Sequence, residues 1–408
     1  MKSLWLASAA MLTAGVAQAG PLTFAQALDR AGSAPSIAAR GAQADAARSA
    51  VIASDRLPDP KLEVGLRDFP VTGPDAGRIN RDNFTMRTIG VSQAFPNPAK
   101  RRARRGRALA DIGAAEAAQQ AELRAVRIAT GVAWIDLHYA ERRLAILKTL
   151  DDSIDDIAAT VAARLTSGSA RPSQALEPQQ LKAEVGDRRA TLNAEVAKAR
   201  AELARWTGEA DAQADGSPPQ WGIDPVALRA SIDKLPSLQA LDATTVQSQA
   251  DVDLARADKR PDWEVSASYG RREPRFGDLV FVGVSIDLPV FSRRRQDPLI
   301  AARTSEAERA RLDCAAAERE TIASLDTEIA GHAEHHDRFE RARDVLVPLA
   351  RKRAELDRAG YAAGTVDLGT ALGTTFALAR AEIDALDREA ALVRDAVKIN
   401  LTFGEGNR

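Results

Sequence analysis

Three histidines in the second half of the chain are the residues best suited to bind a metal ion. His332 and His336 lie four residues apart, a spacing that places both imidazoles on one face of a helix. Zinc and copper sites need three or four converging ligands, and the sequence offers no second cluster of carboxylates or thiolates. Both histidines also continue a periodic stripe typical of a helix–helix seam: Ile322, Leu325, Ile329, His332, His336 and Phe339. We therefore predict no metal site and no cofactor, with this pair as the weak candidates.

Other residue types form no catalytic pattern. The sequence shows no Ser, His and Asp set, no phosphate-binding loop and no paired carboxylates in an apolar setting. We predict no catalytic residue and no enzyme activity. Lys and Arg number 56 against 57 Asp and Glu, so net charge gives no reason to expect a nucleic-acid partner.

Residues 1–19 have the pattern of a secretory signal peptide. Lys2 is followed by an apolar stretch and by a small-x-small site, which predicts cleavage after Ala19. A short N-terminal anchor helix is the alternative. The only cysteine, Cys314, lies far inside the chain, so we expect no lipid-anchor cysteine and no disulfide within the chain. The remainder contains no apolar run of about 18 residues, which excludes a multipass helical membrane protein.

Four stretches alternate apolar and polar residues with the period of two that is typical of strands. They lie at about 60–69, 83–95, 261–271 and 278–291. The last two strands carry these apolar residues on one face: Trp263, Val265, Ala267, Tyr269, Val280, Val282, Val284, Ile286 and Leu288.

Helical patterns fill most of the remaining chain, with long helices predicted at about 100–165, 172–206, 297–358 and 365–403. The first has apolar and small residues at steps of three and four, which predicts a coiled-coil seam. At about 1.5 Å per residue it would be roughly 95 Å long. Residues 209–224 are rich in Gly, Pro and Asp and are predicted to be a linker.

The same order of elements occurs twice. Gly90-Val91-Ser92 returns as Gly283-Val284-Ser285, 193 residues later, and Gly168-Ser169 corresponds to Gly364-Thr365, 196 residues later. We predict a tandem duplication with a first repeat at 20–208 and a second at 225–408. Each half reads helix, strand, strand, long helix, turn, long helix.

Four strands in one chain leave two open edges, which are unfavourable in water and intolerable in lipid. Membrane barrels need about eight or more antiparallel strands that close on themselves. Three copies of the chain would supply twelve strands. The fold class predicted here is therefore mainly helical with membrane β-structure: a β-barrel shared between copies of the chain, with four strands per chain and twelve strands in a trimer, on a long α-helical barrel.

The order of several motifs carries a resemblance to a known family. These are Leu57-Pro58-Asp59-Pro60 before the first strand, Ser92-Gln93-Ala94-Phe95-Pro96 at the end of the second, the segment from Gly283 to Phe291, and the turn from Tyr361 to Thr365. The chain resembles the TolC-like outer-membrane efflux factors. Within that family it is most similar to the outer-membrane components of heavy-metal (cobalt–zinc–cadmium type) efflux systems.

This resemblance implies a homotrimer in the outer membrane, in contact with its lipid, with helices that extend through the periplasm. It also implies a periplasmic adaptor (membrane fusion protein) and an inner-membrane pump of the resistance–nodulation–division class as partners. The pump supplies the energy, so the subunit would be a passive exit duct, here for heavy-metal cations. Drug efflux and type I protein secretion by the same fold stay open, as does a soluble periplasmic coiled-coil adaptor.

By the same resemblance, the two helical turns at 164–174 and 360–372 would close the tunnel and meet the adaptor. The candidate residues are Arg164, Gly168, Arg171, Gly364, Asp367 and Thr370. Family members often carry acidic residues after the second glycine, whereas this chain has Thr370 and Gly373 there. Asp367 and Glu177 are the carboxylates that the turns retain.

Two prolines and two basic runs mark the ends of the predicted strands. Pro96 and Pro289 are expected at the transitions from strand to helix. The basic runs at 100–105 and 293–295 could bind nucleic acid. Because the protein is predicted to be exported, we expect them instead at the periplasmic membrane interface, near anionic head groups. Aromatic residues bracket the strands as an interfacial girdle would.

Overall fold

The computed structural model describes residues 20–79 and 81–404. The predicted signal peptide and its cleavage after Ala19 lie outside these residues. Within the described part, no helix has the length and apolar character needed to cross a membrane. The chain is mainly helical, as predicted.

The first repeat contains seven of the elements. They are β1 (Pro21–Leu22), α1 (Phe24–Ala31), α2 (Pro35–Ser54), β2 (Lys61–Arg67), β3 (Met86–Phe95), α3 (Pro98–Thr166) and, after a short 3-10 turn at Pro172–Ala175, α4 (Leu176–Thr207). The segment between the repeats holds β4 (Gln213–Ala214).

The predicted second repeat, 225–408, contains the remaining elements. Its elements are α5 (Pro225–Ala230), α6 (Pro236–Ala257), β5 (Trp263–Arg271), β6 (Leu279–Ile286), α7 (Gln296–Arg341), α8 (Val347–Ala363) and α9 (Leu368–Phe403), with short 3-10 turns at Ile232–Lys234 and Pro274–Phe276.

The single helix predicted at 297–358 is interrupted. A π-helical segment at Ala342–Leu346 separates α7 from α8, and the N–H of Val347 donates to the carbonyl of Ala342 across it. Pro348 explains the change, because its ring has no N–H and clashes with the carbonyl four residues earlier.

Two other boundaries differ from the prediction. The last strand ends at Ile286 rather than 291, because Pro289 cannot donate a ladder bond and the chain turns through residues 290–295 before α7 begins. The linker at 209–224 also contains a strand, β4, which pairs in parallel with β1 through Leu22 and Ala214. Two residues are too few for periodicity to reveal a strand.

The chain divides into two compact units. One comprises residues up to 35, 123–231 and 323 onward, and the other comprises 36–122 and 232–322. In the first, Trp134 is fully buried, and its indole N–H donates to the carbonyl of Leu22 at 2.7 Å. The ring of Phe24 meets Trp134 edge-on at 5.6 Å, so the N-terminal segment is held against the long helices.

The second unit contains a four-stranded antiparallel sheet with the order β2-β3-β5-β6. Lys61 pairs with Ser92, Phe95 with Trp263, and Trp263 with Ile286. β3 and β5 lie in the middle although a pair of long helices separates them in sequence. Among residues 20–79 and 81–404, β2 and β6 are therefore the two strands of this sheet with an open edge.

Asn97 holds the junction between the two repeats. Its backbone N–H donates to Asp262 Oδ1 at 2.7 Å, and its buried amide donates to the same oxygen and to the carbonyls of Ala257 and Arg260. Its own Oδ1 accepts the N–H of Lys100 at 2.8 Å, which caps α3.

The pKa of the Asp262 carboxylate depends on this contact with Asn97. Burial alone would raise its pKa, but the hydrogen bonds from Asn97 and the ammonium of Lys100, 3.0 Å away, outweigh that and lower the pKa of Asp262 below its usual range. The stability that this charge contributes is complete above the unfolded pKa of about 4. It is lost as the pH falls through the lower folded pKa.

We predict that Asn97→Ala lowers the unfolding free energy of the detergent-solubilised protein by about 2 kcal/mol, because a helix cap is lost and Asp262 loses buried donors. The shift of the urea midpoint measures this effect. Asn193→Ala, at an exposed position on α4, is the matched control and should leave the midpoint unchanged. Equal midpoints for the two variants would contradict the assigned role of Asn97.

Candidate functional site

The sheet exposes its apolar face. Val64 and Val282 are each 75% exposed, and Leu62, Ile89, Val91 and Val284 are exposed as well. The cross-strand register places these residues in continuous apolar rows: Leu62, Val91, Ala267 and Val282 form one, and Val64, Ile89, Tyr269 and Val280 form the next.

The opposite, polar face is the better covered of the two. Gly90 and Ser92 on β3 and Gly270 on β5 are buried. The guanidinium of Arg67, on the first strand of the sheet, lies 5.6 Å from the ring of Phe281, on the fourth. The sheet therefore curls with its polar face inward, which is the reverse of a water-soluble sheet.

The two helical turns have the same backbone geometry. Gly168 and Gly364 both adopt the left-handed conformation, with φ of 73° and 81°. Ser169 N–H donates to Arg164 O at 2.9 Å, and Thr365 N–H donates to Gly360 O at 2.8 Å. These six-to-one bonds define a Schellman motif at each helix end, and the matched pairs are 196 residues apart. A side chain at either glycine would be strained.

The helices that follow these turns begin in different ways. Asp367 caps α9, since its carboxylate accepts the N–H and the hydroxyl of Thr370 at 2.9 and 2.6 Å. The hydroxyl bond is the main reason that the pKa of Asp367 lies below its usual range. Arg171 occupies the equivalent position in the first repeat, and there the hydrogen bond runs the other way. The N–H of Arg171 donates to the side chain of Gln174 at 3.0 Å.

Arg164 connects the two turns. One of its terminal nitrogens donates to the carbonyls of Tyr361 and Ala362 at 2.6 and 2.9 Å, and its guanidinium lies 4.4 Å from the centre of the Tyr361 ring. The ring itself, on α8, is buried in an apolar cluster with these residues of α3 and α9: Ile157, Val161, Leu368, Ala371 and Leu372. Neither part of this contact is visible in the sequence, because 197 residues separate its partners.

Two carboxylates flank the first turn of α9. A β-carbon placed on Gly369 would lie 3.3 Å from Asp367 Oδ1 and 3.7 Å from Glu177 Oε2. Glu177 belongs to the first hairpin and is half-buried. The turns thus bring together two acidic groups, one from each repeat, although Thr370 and Gly373 carry no charge. Gly373 itself contacts neither of them.

The histidines are arranged differently from the predicted stripe. His335, rather than His336, reaches α9, and its Nδ1 lies 2.6 Å from Asp395 Oδ2. His332 is half-buried, and burial lowers its pKa. His336 is exposed, 3.8 Å from Glu340 on its own helix. The seam position assigned to His336 was therefore wrong, because the rotation of α7 places residue 335 against α9.

An exposed group of His336, Asp337 and Glu340 has ligand atoms within 4.8 Å of one another. His332 is not part of it. Of the two histidines predicted as weak metal candidates, this exposed group includes only His336.

The two proline transitions are unequal. Pro96 lies directly between β3 and α3, where Asn97 caps the helix. After Pro289 the chain turns again, and α7 begins only at Gln296. In the first basic run, Lys100 contacts Asp258 and Asp262, and Arg105 pairs with Asp55 at 3.2 Å. Part of the positive charge of this run is therefore neutralised by ion pairs within the protein.

Comparison with known proteins agrees with this architecture. Residues 228–405 match the outer membrane efflux protein family. That region is most of the second repeat. No curated protein sequence matches the chain.

Solved structures of membrane proteins, two of them described as channels, share the fold across nearly the whole chain. The channel-forming protein CusC has 15% identity and a TM-score of 0.77, with 93% of this chain and 92% of CusC covered. A membrane protein from Pseudomonas aeruginosa has 17% identity and a TM-score of 0.79, with coverage of 93% and 92%. The open-state MtrE outer membrane channel of Neisseria gonorrhoeae has 15% identity and a TM-score of 0.70, with coverage of 94% and 89%.

At these identities the likeness establishes the fold alone. It assigns no role to individual residues, so the turn residues described above stay candidates.

We predict that Arg164→Lys loosens the second turn, because a single ammonium cannot reproduce the guanidinium contacts with two carbonyls and one ring. A loss of about 1 kcal/mol corresponds to roughly fivefold faster amide exchange at residues 361–366. Hydrogen–deuterium exchange with mass spectrometry measures this. Arg171→Lys is the matched control, since its described hydrogen bond uses the backbone N–H. An unchanged exchange rate in Arg164→Lys would contradict the conclusion that Arg164 connects the two turns.

Proposed function

We propose that this protein is the outer-membrane exit duct of a tripartite efflux system. Three copies would close a twelve-stranded barrel in the membrane, and the long helices would extend into the periplasm as a tunnel. A periplasmic adaptor and an inner-membrane pump would complete the pathway. The subunit would conduct passively, without a catalytic residue.

The inverted sheet is the observation that carries this proposal. A row of exposed Val, Leu and Ile costs free energy in water at about 25 cal/mol for each Å² of apolar surface, and an edge strand invites aggregation. Lipid would cover the apolar face, and the curled polar face would line a water-filled lumen. The match of residues 228–405 to the efflux protein family supports the same conclusion.

The paired turns are the proposed periplasmic gate and adaptor contact. Gly168 and Gly364 permit the tight reversals, while Asp367, through Thr370, and Arg171 start the returning helices. Arg164 would hold the second turn against the first in the closed state. Because this contact consists of a few hydrogen bonds and one cation–π pair, modest binding energy from an adaptor could release it.

We further propose heavy-metal cations as the cargo. The resemblance described above supports this, and so does the approach of Asp367 and Glu177 at the turns, because carboxylates attract divalent cations. Drugs and secreted polypeptides are the alternative cargoes.

The proposed duct function predicts that the mature protein is found in the outer-membrane fraction and has the mass of a trimer in detergent. Cell fractionation and light scattering of the purified protein measure the two properties. A soluble periplasmic monomer would contradict the proposal and would favour a coiled-coil adaptor.

The cargo proposal predicts that a strain without this gene becomes severalfold more sensitive to cobalt, zinc or cadmium and is rescued by the intact gene. Minimal inhibitory concentrations across metals, dyes and antibiotics measure this. Rescue by Asp367→Asn/Glu177→Gln should be incomplete for metals. The matched control Asp344→Asn changes an exposed carboxylate near the π segment and should rescue fully. Sensitivity to dyes alone would assign the duct to another cargo.

A further inference from the structure

The two hairpins of the sheet follow one residue-by-residue rule. Residues of β2 correspond to residues of β5 that lie 203 later, and residues of β3 correspond to residues of β6 that lie 193 later. Lys61 pairs with Ser92, and their counterparts, Glu264 and Ser285, also pair with each other. The duplication is therefore exact at the level of strand register.

The sheet also contains one pairing that joins the repeats, between β3 and β5. There, Ala94 lies opposite Glu264 and Gln93 lies opposite Val265. The same rule converts this pairing into one between β6 and β2. The counterpart of Ala94 is Asp287, and the counterpart of Glu264 is Lys61. These residues belong to the two edges of the sheet that have no partner strand in the described part of the chain.

We infer that β6 of one copy of this chain pairs with β2 of a second copy in antiparallel register, with Lys61 opposite Asp287. This inference rests on the proposed trimeric duct and fixes the contact that closes it. The register then follows for every other residue: Leu62 lies opposite Ile286, Val64 opposite Val284, and Leu66 opposite Val282.

The apolar rows support this register. All six of these side chains lie on the exposed apolar face of the sheet. A shift of the register by one residue would place the apolar side chains of one strand on the same side of the sheet as the polar side chains of the other. Odd shifts are therefore excluded by the same alternation that defines the strands.

Repulsion between carboxylates disfavours the two registers that are shifted by two residues. A shift by two residues in one direction places Glu63 opposite Asp287, and a shift by two in the other places Asp59 opposite Asp287. Both put like charges face to face, which is unfavourable, whereas opposite charges across a strand pair are favourable. Among these three registers, Lys61 opposite Asp287 alone gives an attractive pair.

Disulfide formation between copies tests the register. In a Cys314→Ala background, Lys61→Cys/Asp287→Cys should give disulfide-linked dimers and trimers on a non-reducing denaturing gel after mild oxidation of the membranes. Ala94→Cys/Glu264→Cys is the matched control, because it is the corresponding pair within the chain. It should form its disulfide at a similar rate while the chain keeps the mass of a monomer. The shifted pairs Lys61→Cys/Ser285→Cys and Glu63→Cys/Asp287→Cys should react at least tenfold more slowly.

Light scattering of each variant separates the two levels of the argument. A trimer in which a shifted pair reacts fastest would overturn the register and leave the duct intact. A monomer that forms no link in any combination would overturn both. Charge reversal gives a second measurement: Lys61→Asp should lower the temperature at which the trimer dissociates in detergent, and Lys61→Asp/Asp287→Lys should restore it. Equal dissociation temperatures for all three proteins would count against the pair.

Discussion

An open strand edge next to an exposed apolar face is the constraint on which this structure depends. Backbone N–H and C=O groups at β2 and β6 need partners, and in lipid no water can supply them. The exposed rows of Val, Leu and Ile make the same sheet unsuited to water. Both demands are met when copies of the chain pair edge to edge within a membrane. The sheet thus explains why a chain that is mostly polar helix resembles outer-membrane channels in its fold.

The duplication shows what the fold requires and what it leaves free. Both turns keep a left-handed glycine and the same six-to-one hydrogen bond, because antiparallel helices need a tight reversal. The side chains around this common backbone differ. Asp367 accepts at the start of α9, whereas Arg171 donates at the equivalent place, and Arg164 corresponds to Gly360. Only one repeat carries the arginine that connects the turns, so the side-chain contacts of the two hairpins are unequal.

Sequence periodicity was sufficient for the elements that repeat a pattern many times. Alternation located the four strands, and steps of three and four located the long helices. It failed where a single residue or a distant partner decides the structure. Pro348 produces the π segment, and the pairing of β1 with β4 is only two residues long. The contacts of Arg164 and the approach of Glu177 to α9 depend on packing between repeats, which a helical period cannot report. His335 was missed for a related reason, since a small rotation of α7 decides which histidine faces α9.

The two ways in which the repeats meet have different chemistry. Within the chain, Asn97 is buried and joins Asp262, Lys100 and two carbonyls at the end of the β3–β5 pairing. The counterpart of Asn97 near the open edge is Val290, whose side chain can make none of the amide hydrogen bonds of Asn97. A covalently joined contact can form such a network as the chain folds. A contact between copies must form afterwards, from edges already exposed, and is better served by backbone pairing and one charge pair that sets the register.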